Sequence, residues 1–212
     1  MAVLNDGING GFRGKVGTVV GYPQNGKWVI RALPKPSTKN KKSSVKQNKC
    51  RKKFRDLQEF MSPVQEFIRT GFNLEARSRN LSAHNAAKSY NMQHAFNADD
   101  QLDYSRIAVT YGKLEMPEEI SVKDNEQGIE VQWVNLLGDS LIRNRDQVMI
   151  LAYCLERRKA AVLYSGAKRK AGLEQLEIAT ALKGKKFHIW VAFIADNRES
   201  VSTSKYMGEI LY

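Results

Sequence analysis

The chain has 212 residues, with 34 Lys and Arg against 22 Asp and Glu, a net charge of +12 and 42% hydrophobic residues. A chain this long buries a core without disulfide or metal staples, and its content of aromatic and β-branched residues excludes global disorder. The opening MAVLNDGINGGF lacks a basic segment followed by an apolar run, and no stretch approaches the roughly 18 uninterrupted apolar residues of a membrane span, which argues against a secretory signal or a transmembrane helix.

In chain order, residues 7 to 22 read GINGGFRGKVGTVVGY, with six glycines suited to tight turns and close backbone approach. Alternation at Val16, Thr18 and Val20, then Trp28, Val29 and Ile30, predicts two short strands with a hairpin turn at Pro23-Gln24-Asn25-Gly26. Leu33-Pro34-Lys35-Pro36 ends the element and opens an extended linker. The polar, basic stretch STKNKKSS from 37 to 44 is a loop leading to a helix N-cap at Ser43 or Ser44.

A helical stripe follows at Phe54, Leu57, Met61, Val64 and Ile68, spaced for core packing, with Phe12 and Phe54 both expected in a core. Pro63 interrupts the stripe. Ser62-Pro63-Val64-Gln65 reads as a fresh N-cap with proline at the first helical position, giving two helices or one kinked helix. A further helix is predicted from Ser82 to Phe96, and a strand at Ile107, Val109 and Tyr111 ending at Gly112.

The last hundred residues read as strands: Ile129–Trp133, a doubly buried run at 147 to 154, Ala160–Tyr164, Leu173–Ile178, Phe187–Ala195 and Tyr206–Tyr212. His188 alternates with core positions and is expected to face solvent. The fold class is therefore α+β: a basic N-terminal β-hairpin and helices followed by a C-terminal antiparallel β-sandwich. The divisions are residues 1–36 for the Gly-rich hairpin, 37–112 for the basic linker and helices, and 113–212 for the sandwich.

Charge is unevenly spread. Up to Arg106 there are 19 basic and 8 acidic residues, and beyond it 15 and 14. No Asp or Glu lies between Asp6 and Asp56. Like charges packed together cost stability, so this window points to a polyanionic partner. Its candidate contacts to nucleic acid are Arg13, Lys15, Lys27, Trp28, Arg31, Lys39, Lys41, Lys42, Lys46, Lys49, Arg51, Lys52, Lys53 and Arg55. Trp28, beside Lys27, is the candidate for base stacking, with packing against the hairpin as the alternative.

Chemistry is sparse. His84, His94 and His188 have no metal-ligand spacing, and neither Cys50 nor Cys154 lies in a CxxC or CxxH pair, so two free thiols in a reducing compartment are expected. No GxSxG elbow is present, and the spacing of Asp99, Asp100 and Asp103 is not that of an EF-hand loop. Gly10-Gly11-Phe12-Arg13-Gly14-Lys15 departs from a phosphate loop because Val16 follows the lysine. No cofactor or metal is expected.

Two resemblances add to this. Trp133 on the second strand and Phe187-x-Ile189-x-Val191 resemble the buried tryptophan and sixth strand of a fibronectin type III or immunoglobulin-like sandwich, with Phe187 in place of the usual tyrosine and without the immunoglobulin cysteine pair. The whole chain is similar to an uncharacterised family of Bacteroidota proteins through Gly11-Phe12-x-Gly14-Lys15-x-Gly17-x-Val19-Val20-Gly21-Tyr22, Val29-Ile30-Arg31, Leu33-Pro34 and Ser82-Ala83-His84-Asn85-Ala86-Ala87 with Ser89-Tyr90-Asn91. That resemblance implies no activity. The expectation is a non-enzymatic protein, cytoplasmic or virion-associated, that binds DNA or RNA through phosphates. The alternative is a structural subunit of a multi-copy assembly such as a phage virion, contacting its own copies or other subunits.

Overall fold

A computed structural model describes residues 3–4, 10–24, 26–34, 42–135 and 143–212 of the chain. It separates into two compact units, residues 1–44 and 45–212.

The first unit is an antiparallel sheet in the order β1-β2-β3-β4: β1 (Val3–Leu4), β2 (Phe12–Val16), β3 (Val19–Gln24) and β4 (Lys27–Ala32). Val16 and Val20, read from the sequence as one alternating run, lie on successive strands. Gly17, with φ of 54°, turns the chain between them, so Val16 pairs with Val19 and Lys15 with Val20. The β3–β4 hairpin stands where the sequence placed it, with Gln24 paired to Lys27 and Gly26 at φ 74°. Asn25 of that turn and the linker residues 35–41 lie outside the described residues.

The second unit is layered. A four-stranded antiparallel sheet runs in the order β11-β10-β7-β8, from β7 (Gln147–Cys154), β8 (Lys159–Leu163), β10 (Lys186–Ile194) and β11 (Lys205–Leu211). A three-stranded sheet, β5-β6-β9, comes from β5 (Ile120–Asn125), β6 (Gly128–Trp133) and β9 (Leu173–Glu177). The two sheets form the expected sandwich around Ile129, Val131, Trp133, Ile150, Leu176, Phe187, Ile189 and Val191.

The outer face of the four-stranded sheet is covered by helices α1 (Val45–Met61), α2 (Gln65–Gly71), α3 (Asn73–Ser78) and α4 (Ala83–His94). Successive strand residues point to opposite faces. Met149, Leu151 and Tyr153 of β7 therefore join Trp190 and Ala192 of β10 under the helices, while Val148, Ile150 and Ala152 face the sandwich. Residues 45–112 and 113–212 thus share the core between helices and sheet.

The helical stripe is buried at Leu57, Met61, Val64 and Ile68. Phe54 is not: half exposed, it carries the Lys88 ammonium 3.6 Å from its ring centroid. Two helices meet near Pro63, but the second is not capped by Ser62. Its N-cap is Val64, which makes no side-chain cap bond. The helix expected from Ser82 to Phe96 forms as α4, and Ser82 caps it, its Oγ accepting from Asn85 N–H at 3.2 Å.

No strand forms over 107 to 112, although Ile107, Ala108, Val109 and Thr110 are buried. Side chains and a helix end take its backbone bonds instead. Asn91 of α4 accepts from Ala108 N–H at 2.9 Å and donates to its carbonyl at 2.8 Å, and Trp190 Nε1 donates to the Ile107 carbonyl at 3.0 Å. Tyr111 N–H donates to the Gly71 carbonyl at 3.1 Å. A side chain at Gly71 would stand 2.6 Å from the Val109 carbonyl, so only glycine lets α2 end against this strap.

A buried ion pair ties the ends of two loops. Arg169 and Asp146 are 2% exposed each and lie 3.3 Å apart. Arg169 also donates to the Glu115 carbonyl at 2.6 Å, packs its guanidinium on Phe193, and lends its carbonyl to Trp133 Nε1 at 2.7 Å. Replacing one partner strands a buried charge, so Arg169→Leu alone is expected to destabilise the protein by about 3–5 kcal/mol. In chemical denaturation the double variant Asp146→Leu, Arg169→Leu should lose less than the two single variants added together; full additivity would show that the charges do not couple.

His188 does not face solvent. The outer face of β10 is the one the helices cover, so the ring is 6% exposed, stacks on Tyr104 at 4.3 Å between centroids and meets the Tyr206 hydroxyl at 2.8 Å through Nδ1. Burial lowers its pKa from the ordinary 6.5, outweighing Glu209, which acts in the opposite sense. The folded protein therefore binds this proton less readily than the unfolded chain. Its contribution to stability is complete above pH 6.5 and is lost as pH falls through the lowered folded value. His188→Gln should flatten that part of the stability–pH curve measured by thermal melts; an unchanged slope would remove His188 from the account.

Candidate nucleic-acid interface

The pairing of β2, β3 and β4 sorts the first unit's side chains by chemistry. Lys15 pairs with Val20, Val20 with Arg31, and Tyr22 with Val29, so these residues share one face. Arg13 and Lys27, two positions from Lys15 and Val29, fall on the same face. All four cations are exposed, and the Arg31 guanidinium lies 5.8 Å from the centroid of the Tyr22 ring.

The opposite face carries Phe12, Val16, Val19, Gly21, Trp28 and Ile30. Phe12 lies over Gly21, where a side chain would meet its ring carbons at 2.7 Å, and is half-buried rather than in a core. Trp28 lies on Gly11 in the same manner, closer than any β-carbon there would allow. Trp28 is thus not brought together with the cations. Adjacent strand residues point apart, and Lys27 and Trp28 are adjacent. The aromatic residue on the cationic face is Tyr22, one of the aromatics of the basic window, which the sequence ranked below Trp28. The two-residue spacing between Gln24 and Lys27 was the signal, because that register alone pairs Tyr22 with Val29.

In α1 the cations divide. Lys49 and Lys53 both pair with Asp100, Lys49 at 3.5 Å, and Lys53 also lies 5.1 Å from the Phe96 ring centroid. The hydrogen bond from Lys53, with help from Lys49, holds the Asp100 carboxyl below its ordinary range. Arg55 pairs with the neighbouring Asp56 at 3.5 Å. Among the described residues Lys46, Arg51 and Lys52 pair with no carboxylate. Helical spacing sets Arg51, Lys52 and Arg55 on the side away from Leu57 and Met61. Lys42 is exposed just before the helix, and Lys39 and Lys41 lie outside the described residues.

The N-terminal sheet thus gathers exposed cations on the face that carries Tyr22. Among the described residues no three His, Cys, Asp or Glu side chains gather as metal ligands. Asp103 of the acidic loop is occupied by Ser105, whose N–H and hydroxyl both donate to it, and by Arg106 at 3.2 Å. Gly14 and Lys15 lie within a strand, with no helix after them to form a phosphate loop. Both cysteines are free, Cys50 exposed and Cys154 buried. No described helix is long and apolar enough to cross a membrane.

The residues that carry the N-terminal signature are those that build this sheet: Gly11 under Trp28, Gly17 at the first turn, Gly21 under Phe12. Those of the second signature build α4, with Ala86, Ala87 and Asn91 buried. No curated protein and no solved structure matches the chain. A family model described as a family of unknown function matches residues 11–208. The chain therefore belongs to this family, DUF6266.

Proposed function

We propose that the protein is a non-enzymatic nucleic-acid-binding protein that grips the phosphate backbone with little sequence selectivity. The observation that carries this reading is the sorting of Arg13, Lys15, Lys27 and Arg31 onto one face of the N-terminal sheet, around Tyr22. Folding gains nothing from gathering four like charges, and a polyanion offsets their repulsion. Tyr22 supplies a flat surface for a base or sugar, and the second unit carries exposed cations of its own, Arg51, Lys52 and Arg55 on α1. The pairs that hold Lys49 and Lys53 lie at the solvent-exposed surface, where ion pairs contribute little, so phosphates displace Asp100 at small cost.

The test is fluorescence anisotropy with short single- and double-stranded DNA and RNA across a salt series. Log affinity should fall linearly with log salt, at about −0.9 per phosphate neutralised on duplex DNA. Replacing Arg13, Lys15, Lys27 and Arg31 with glutamine should shrink that slope by roughly 3–4, while Trp28→Ala, on the other face, should leave it unchanged. Affinity indifferent to salt and to the four substitutions would end this reading.

A second reading, a subunit of a multi-copy assembly, is favoured by the apolar face of the same sheet. Val16, Trp28 and Ile30 are 51%, 43% and 62% exposed, and a small one-layered sheet gains stability from a second layer. A second copy supplies that layer. Sedimentation equilibrium at high concentration should then show association that Ile30→Ser weakens; a strict monomer would count against it.

A further inference from the structure

Beyond Arg106 the sequence is nearly charge-balanced, and its short basic runs at 143–145 and 168–170 lie more than twenty residues apart. The fold brings them together. Arg145, Lys168 and Lys170, with Asn144 and Asp196, line a single groove at one end of the second unit. We propose that this groove is a second phosphodiester contact of the nucleic-acid-binding protein described above, a reading that rests on that function.

The argument starts from the buried Arg169–Asp146 pair. Asp146 follows Arg145 in the chain, and Arg169 stands between Lys168 and Lys170. Arg169 N–H donates to the Asp146 carbonyl at 2.6 Å, Asp146 N–H to the Arg143 carbonyl at 3.0 Å, and Lys168 bridges to Gln147. With Asp146 and Arg169 held inward, their neighbours in the chain are left outward: Arg145, Lys168 and Lys170 are all exposed. The ion pair thus fixes two backbone segments and, with them, three cations against a shared concavity.

Asp196 is the one carboxylate among the described lining residues, which leaves the groove a net cationic surface. Like charges held on rigid backbone in a concave site focus positive potential and raise the local concentration of anions. A phosphate-bearing strand is the partner that meets several such charges at once. Each unit then carries its own phosphate contact, and one strand bound at both gains effective concentration without a new contact.

The experiment uses the full chain and the same salt-dependent anisotropy, with a duplex DNA probe. The triple variant Arg145→Gln, Lys168→Gln, Lys170→Gln should lower affinity at least tenfold and reduce the salt slope by about 2–3. Its thermal midpoint should stay near that of the wild type, because the three side chains are exposed. A charge-matched variant at exposed positions away from the groove, Lys123→Gln, Lys159→Gln, Lys183→Gln, should change the slope by much less. Asp196→Asn should tighten binding.

If the groove and charge-matched variants behave alike while the four N-terminal sheet substitutions still weaken binding, the groove inference is overturned and the proposed function stands. If the wild type binds no nucleic acid at low salt, both fall.

Discussion

The second unit depends on one pair of strands, β7 and β10, buried on both faces. Their full-length antiparallel register, Gln147 with Ile194 to Tyr153 with His188, places two sets of side chains on opposite sides of one sheet. One set closes the sandwich; the other forms the floor on which α1, α2 and α4 lie. Each large apolar side chain taken fully out of water there contributes about 1.5–3 kcal/mol, and Trp190, Tyr153, Phe187 and Phe193 are among the largest. The helices have no comparable partner elsewhere in the unit. A one-residue slip in this pair would exchange the two cores.

The same constraint governs the polar interior. Trp190 and Trp133 reach opposite cores, and each donates its indole N–H to a carbonyl in an irregular segment, Ile107 in one case and Arg169 in the other. Asn91 satisfies both backbone groups of Ala108. Irregular backbone lies in the interior here because side chains from regular elements complete its hydrogen bonds. The Arg169–Asp146 pair is the charged form of this device, and its geometric by-product is the outward set of cations beside it.

The N-terminal sheet follows the alternation rule without a core. Gly21 is its one buried residue among those described, and the four cations lie on one face while Phe12, Val16, Trp28 and Ile30 lie on the other. Strands that alternate cation and apolar residue, joined by tight turns at Gly17 and Gly26, produce this separation directly. Much of it was legible from the sequence: the acid-free window, the second hairpin and the cationic character of the segment. Of the two roles open to Trp28, stacking or packing, the hairpin shows it lying on Gly11, across the sheet from Lys27, because neighbours in a strand point to opposite faces. Phe54 and His188 were misread because periodicity identifies a face without saying what covers it.

By itself the sequence determined the α+β class, the helix start at Ser82, the doubly buried strand at 147 to 154 and the concentration of positive charge before Asp56. Each follows from local rules: capping, period, and a count of charges. Tertiary structure alone decided that the outer face of β10 lies under helices, that residues 107–112 run as a strap rather than a strand, and that Arg145, Lys168 and Lys170 share one groove. These depend on which segments meet, and a pairing between residues more than twenty positions apart leaves no periodic trace in either one.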